Sequence, residues 1–363
     1  MLIYDLIQGW VEFNPKSLRM KIETIRTAIT GIGSLPFLHE EEALRYSFEH
    51  TIPFLPQLPL AQPQEFMIIQ TLAAFPGYDP QTQGSSVINL EQWTSQRSVL
   101  NQQTHHILQG GYADPSHILG LSRSIMCWDP FIDRLREGLF SKAKAQIAGP
   151  VSCIQFLKDQ NGNGVAHNAS LCADLFEFIT ARGIILSQEL RKTGVTPLLF
   201  IDEPSLFLTS QNLNTQTHHL IALSEMIRLL KFHHVEVGIH CCGEMNWPSI
   251  LSLNPHWVSF DHSLAWNSFL KKMSRPEHQS ILRSWIQSNG KLSPGLDPHS
   301  SPHLTLRELE AQLKVYFPEE GPWVEYTAKN FLLTFTCGLA FHSHEKLQTT
   351  LQYLQKVSQT ESQ

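Results

Sequence analysis

Eight short runs of β-forming residues recur along the chain, each ending in a polar residue, Gly or Pro, and this recurrence limits the fold more than any other feature. The runs cover residues 28–34, 52–59, 143–152, 196–204, 235–243, 256–262, 290–297 and 330–338. Between them lie amphipathic stretches at 39–50, 173–194, 218–232 and 276–290. In the last of these, Ile281, Trp285 and Ile286 share one helical face. Eight strands alternating with helices predict a parallel sheet closed on itself, an α/β protein of the TIM (β/α)8 barrel class. Residues 28–363 are expected to form this single barrel domain. The long connection from about residue 60 to 142, with the polar stretch YDPQTQGSS, reads as an elaborated excursion after the second strand. Residues 1–27 precede the first strand and read as an N-terminal extension; Met20 is an alternative start.

With 363 residues, 42% hydrophobic and 17% charged, the chain can bury the core that one large barrel requires. A net charge of -6 without a basic run excludes phosphate-rich partners, so neither nucleic acid nor an anionic membrane surface is expected. No apolar stretch reaches the roughly 20 residues of a membrane span. The first residues lack the positive n-region of a signal peptide, and a cytoplasmic location is expected. Six cysteines stand at 127, 153, 172, 241, 242 and 337, a sparse set that suits reduced thiols. Cys127, Cys153 and Cys172 have apolar neighbours and read as core residues.

Parallel strands in a barrel open their C-terminal ends on one face, so distant residues converge there. His240 and Cys242 lie two apart at the end of the fifth run and point the same way, while Cys241 points elsewhere. Cys337 ends the eighth run and Asp261 the sixth. One nitrogen, two sulfurs and one carboxylate oxygen suit tetrahedral zinc. Each residue alone has a plainer reading, as a core histidine, a packed cysteine or a helix cap. At other strand ends, Ile32 and Ser34 in IGS offer backbone groups and a hydroxyl. Asp202 and Glu203 in DEP offer carboxylates for an ammonium group, or a helix cap before proline. His299, two residues after Asp297, is a candidate general acid kept basic by that carboxylate.

Together these segments resemble the cobalamin-independent methionine synthase family, in its C-terminal catalytic barrel. TGIGSLP (30–36), AGPVS (148–152), FIDEP (200–204), HCC (240–242), VSFD (258–261), DPHSSP (297–302) and TCGL (336–339) follow one another in the family's order. The resemblance implies a zinc-dependent methyltransferase that methylates the thiol of homocysteine to give methionine. It implies His240, Cys242 and Cys337 as zinc ligands, with Asp261 at the position of a glutamate ligand. Ile32, Ser34 and Asp202 fall on homocysteine contacts, Glu65 stands nearest a further contact, and His299 falls on the proton donor. Asp261 is one methylene shorter than the family's glutamate, and the pattern around FMIIQ (66–70) departs near Glu65. The chain also has no room for the family's second barrel, which leaves methylfolate and a methyl-corrinoid protein as alternative donors. His299 favours a nitrogen leaving group, because cobalt needs no general acid. Competing readings are an alkyltransferase acting on another small thiol such as coenzyme M, and a non-catalytic zinc or homocysteine-binding protein. The related uroporphyrinogen decarboxylases use arginines and no zinc, and the HxC and CGL segments argue against them.

Overall fold

The computed structural model describes residues 27–80, 86–111, 125–206, 213–317 and 328–359. Apart from Thr27, the expected N-terminal extension lies outside the described residues. In chain order the strands are β1 (Ala28–Ile29), β2 (Tyr78–Pro80), β3 (Ser86–Ile88), β4 (Lys142–Ala148), β5 (Leu157–Asp159), β6 (Thr196–Asp202), β7 (Glu236–Cys241), β8 (Trp257–Asp261), β9 (Lys291–Gly295) and β10 (Leu332–Leu333). Strands β4, β6, β7, β8 and β9 pair in that order as one parallel sheet.

Parallel bridges carry the sheet around into a ring. Leu292 pairs Phe331 and Gly295 pairs Thr334, which joins β9 to β10; β10 pairs β1. Ser34 then pairs Gln57, and Phe54 pairs Lys144 of β4. The chain is therefore a TIM-type (β/α)8 barrel whose second stave is the segment from Pro53 to Gln57.

The staves next to the closure are shorter than the sequence predicts, for local reasons. Pro53, Pro56 and Pro59 remove ladder donors from the second stave. In the first stave Gly33 takes φ 140°, a conformation reserved for glycine, and regular pairing stops at Ile29. The third predicted run also ends early. Gly149 follows β4, and Pro150 opens the helix Pro150–Phe156 at its first turn, where a missing N–H costs nothing.

The excursion after the second stave is as elaborate as expected. It contains an antiparallel β2–β3 hairpin, β3 runs parallel to β5, and the helix Leu90–Leu108 packs on the helix Ala169–Arg191. Most buried apolar side chains lie in one large cluster, and a second small cluster consists of Ile52, Leu198, Phe200, Trp257 and Leu332. Leu198 and Phe200, Trp257 and Leu332 come from the fourth, sixth and eighth staves and Ile52 immediately precedes the second, the alternate-strand layering of a filled barrel interior.

The N-terminal ends of the staves form a charged foot. Glu236 pairs with Lys142 and accepts from the Trp257 indole at 3.2 Å, while Lys291 lies 5.1 Å from the Trp257 ring centroid. Burial would raise the Glu236 carboxyl, but Lys142 and the indole outweigh it and hold it below the usual range. Among the described residues no helix is long and apolar enough to cross a membrane.

Candidate functional site

At the opposite end, β6 and β7 are in register so that Asp202 stands beside His240, and His240 stands beside Ser259 of β8. The Ser259 hydroxyl lies 3.0 Å from His240 Nδ1, which fixes the ring and leaves Nε2 as its outward atom. Cys241 is fully buried in the core, as its strand parity predicts, so Cys242 is the thiol on the His240 side. Cys337 reaches the same place from beyond β10 and interacts with both the Cys242 thiol and the His240 imidazole. The hydrogen bond from Cys242, with that from His240, pulls the Cys337 thiol down to about 4. Cys242 is pushed up, first by its hydrogen bond with Cys337 and then by burial. Even so, among the described residues no three His, Cys, Asp or Glu side chains converge as a group that could hold a metal ion.

The predicted fourth ligand is otherwise employed. Asp261 Oδ1 accepts from the Ser263 amide at 2.8 Å, the Leu264 amide at 3.3 Å and the Ser263 hydroxyl at 2.6 Å, capping the helix His262–Met273. A carboxylate at a strand-to-helix junction is drawn to the unsatisfied amides of the helix, and the structure does not gather it with the other three.

Asp202 is the buried carboxylate of the mouth. Its Oδ1 has no hydrogen-bond partner, and burial raises its carboxyl to about 6 against the opposing pull of His240 and Lys144. Ser34 lies across the ring closure, its hydroxyl 3.4 Å from Gln57 Oε1, and a Cβ on Gly338 would stand 3.1 Å from Ser34 Cβ. The backbone confirms the contact, since the Leu339 amide donates to the Ser34 carbonyl at 2.8 Å. Ser34, Cys337, His240 and Asp202 therefore belong to one rim.

Other predicted site residues have structural duties. The Ile32 carbonyl accepts from Lys144 Nζ at 2.9 Å. Glu65 is fully buried, and its two oxygens accept the Leu58 and Met126 amides at 2.5 and 2.6 Å. Burial raises the Glu65 carboxyl despite those bonds, and the group acts as a strut between the second stave and the excursion. Glu203 takes the amides of Val151 and Ser152, which makes it a cap for the neighbouring helix. Asp297 binds the His299 backbone amide at 2.9 Å and the Lys346 ammonium at 2.9 Å. Burial works to raise the Asp297 carboxyl, but these two contacts hold it low. The carboxylate thus holds the His299 main chain, whereas a bond to the imidazole was expected; His299 itself is exposed.

Sequence reasoning missed Lys144 and Gln146, two polar side chains buried inside the ring. Burial lowers the Lys144 ammonium to about 8, with Asp202 opposing the shift. Their alternation in AKAQIA was the available signal, but it resembles that of a solvent-facing strand.

No protein-family model matches the chain, and no curated protein matches it. Among solved structures it is similar to a 3-keto-L-gulonate-6-phosphate decarboxylase from Vibrio cholerae, at 10% identity and a TM-score of 0.25, over 64% of this chain and 80% of that one. A likeness of that degree says nothing about the site.

Proposed function

We propose that this chain is an enzyme, a zinc-dependent methyltransferase that methylates the thiol of homocysteine to methionine. The observation that carries the reading is the meeting of Cys337 with Cys242 and His240 across some hundred residues of chain, on the rim that also holds Asp202. Thiols and an imidazole brought near one another are groups a divalent cation can bind, releasing protons from its ligands as it does so. The donor chemistry of one imidazole and two thiols suits zinc, although among the described residues they do not converge as a metal-holding group. When bound by His240, Cys242 and Cys337, zinc would supply the positive charge that keeps a substrate thiol deprotonated at neutral pH.

The remaining steps belong to the chain's own residues. Asp202 Oδ1, buried and unpartnered, would receive the substrate's ammonium group, with Ser34 on the same rim. The held thiolate attacks the methyl carbon in line; a sulfur–carbon bond forms, and the bond from methyl to its carrier breaks with its electron pair. When the carrier is the nitrogen of a methylfolate, His299 donates the proton that nitrogen needs. A methyl-corrinoid donor would leave His299 without that task. Coenzyme M is the less suited acceptor, since Asp202 would repel its sulfonate.

The test is to incubate zinc-loaded protein with homocysteine and, in parallel, methylfolate or methylcobalamin, and to quantify methionine. Homocysteine binding without product from either donor would favour the binding-protein reading. Neither binding nor product would reject the assignment.

A further inference from the structure

The seam between the first three staves lacks regular strand pairing. The first stave keeps two residues of regular strand, and the second meets its neighbours through isolated bridges and backbone bonds such as Gln57 N–H to the Gly33 carbonyl at 2.9 Å and Leu55 N–H to the Lys144 carbonyl at 2.8 Å. Two side chains of β4 reach across the interior and add side-chain bonds to these. Lys144 Nζ donates to the Ile32 carbonyl, 112 residues earlier in the chain, at 2.9 Å, and to Gln146 Oε1 at 2.9 Å. Gln146 Nε2 donates to the Leu55 carbonyl at 3.0 Å. Gly33 makes way for this network, because a Cβ there would stand 2.1 Å from Gln146 Nε2.

A spacer at this place would need no charge. Burying an ammonium is expensive unless it is bonded and offset. Here the Phe200 ring, 5.0 Å from Nζ, and the Asp202 carboxylate provide that offset. Lys144 therefore links three parts of one rim: the Ile32–Ser34 arc, the second stave through Gln146, and the field around Asp202.

We propose that Lys144 is a positioning residue, whose bond to the Ile32 carbonyl sets the Ile32–Ser34 arc in register for the amino-acid end of the substrate. The proposal rests on the homocysteine reading above for the identity of the substrate, and on the hydrogen-bond network for the role of the lysine. Ser34 is carried by this arc, and displacement of a binding group by about 1 Å costs up to about a hundredfold in productive binding.

The experiment compares zinc-loaded wild type with Lys144→Met, which fills similar volume but cannot donate. Amide hydrogen exchange over residues 28–36 should quicken in the variant, while exchange over 236–241 and zinc affinity by chelator competition stay as in wild type. Homocysteine affinity should fall about tenfold and KM rise in parallel, with kcat nearly preserved. Lys144→Gln, which retains an N–H donor, should recover part of both losses. Unchanged exchange in the arc, or a Gln variant as loose as the Met variant, overturns the proposal. If Lys144→Met does not fold, Lys144→Leu is read by the same criteria. Wild type that binds no homocysteine would reject the proposed reaction, whereas exchange in the arc still decides the role of Lys144.

Discussion

The carboxyl group of Glu203 occupies the space that a β-carbon on Gly149 would need, 2.1 Å away, and from there it accepts the amides of Val151 and Ser152 at 2.9 and 2.8 Å. The Ser152 hydroxyl adds a third bond to it at 2.7 Å. The GPVS and DEP segments are thus two halves of one joint: glycine opens the space, proline starts the helix, and the glutamate of the next stave caps it. Gly149→Ala should cost about 1–3 kcal/mol through forced displacement. Glu203→Ala should cost about 3 kcal/mol by stranding two buried amides. Urea denaturation of the two variants measures both, and near-neutral results would refute the joint.

One buried histidine should make the fold sensitive to acid. His50 is buried against Tyr46, Phe54 and Phe335; its Nε2 has no partner, and burial lowers the ring to about 4. The unfolded chain binds the proton near 6.5 and the folded chain does not, so full stability holds above that pH and is lost as pH falls toward 4. By pH 5 the loss is about 2 kcal/mol. His50→Phe should flatten the fall in urea midpoint between pH 7 and pH 5; a parallel fall in both proteins would show that the ring is not responsible.

Asp202→Asn separates folding from binding. Burial disfavours the charge on Asp202 while its pull on the buried Lys144 ammonium favours it, so the amide should change the melting temperature little. Losing the counter-charge should raise KM for homocysteine by about 10- to 100-fold. An unaltered KM would remove Asp202 from the substrate pocket.

Zinc analysis bears directly on the thiols. Wild type is expected to retain zinc through dialysis, and Cys337→Ser and Cys242→Ser each to lose it, as measured by elemental analysis. Asp261→Asn should retain zinc, since that carboxylate caps a helix. Retention by either cysteine variant would contradict the ligand set.

The donor can be told apart at His299. Replacing it with Gln should lower turnover with methylfolate by about a hundredfold, while leaving methylcobalamin-dependent turnover intact. An equal effect on both donors would exclude a role in protonating the leaving group.

Much of the architecture was legible in the sequence because barrel strands announce themselves as short apolar runs between helices, and all eight predicted runs supply pairing residues to the ring. Parity separated Cys241, in the core, from Cys242, at the mouth. Carboxylates were harder. Glu65, Asp261, Asp297 and Glu203 look alike on paper whether they hold a ligand or an amide, and all four hold amides. Lys144 and Gln146 escaped notice because a barrel has two buried faces, and alternation alone does not say which face meets water.

The clasp of Lys142, Glu236, Trp257 and Lys291 sits at the end of the staves away from the rim. Part of what ties these four strands together is therefore lodged away from the reactive end. Changes that toughen the protein can accumulate at its base without disturbing the sulfur chemistry proposed above.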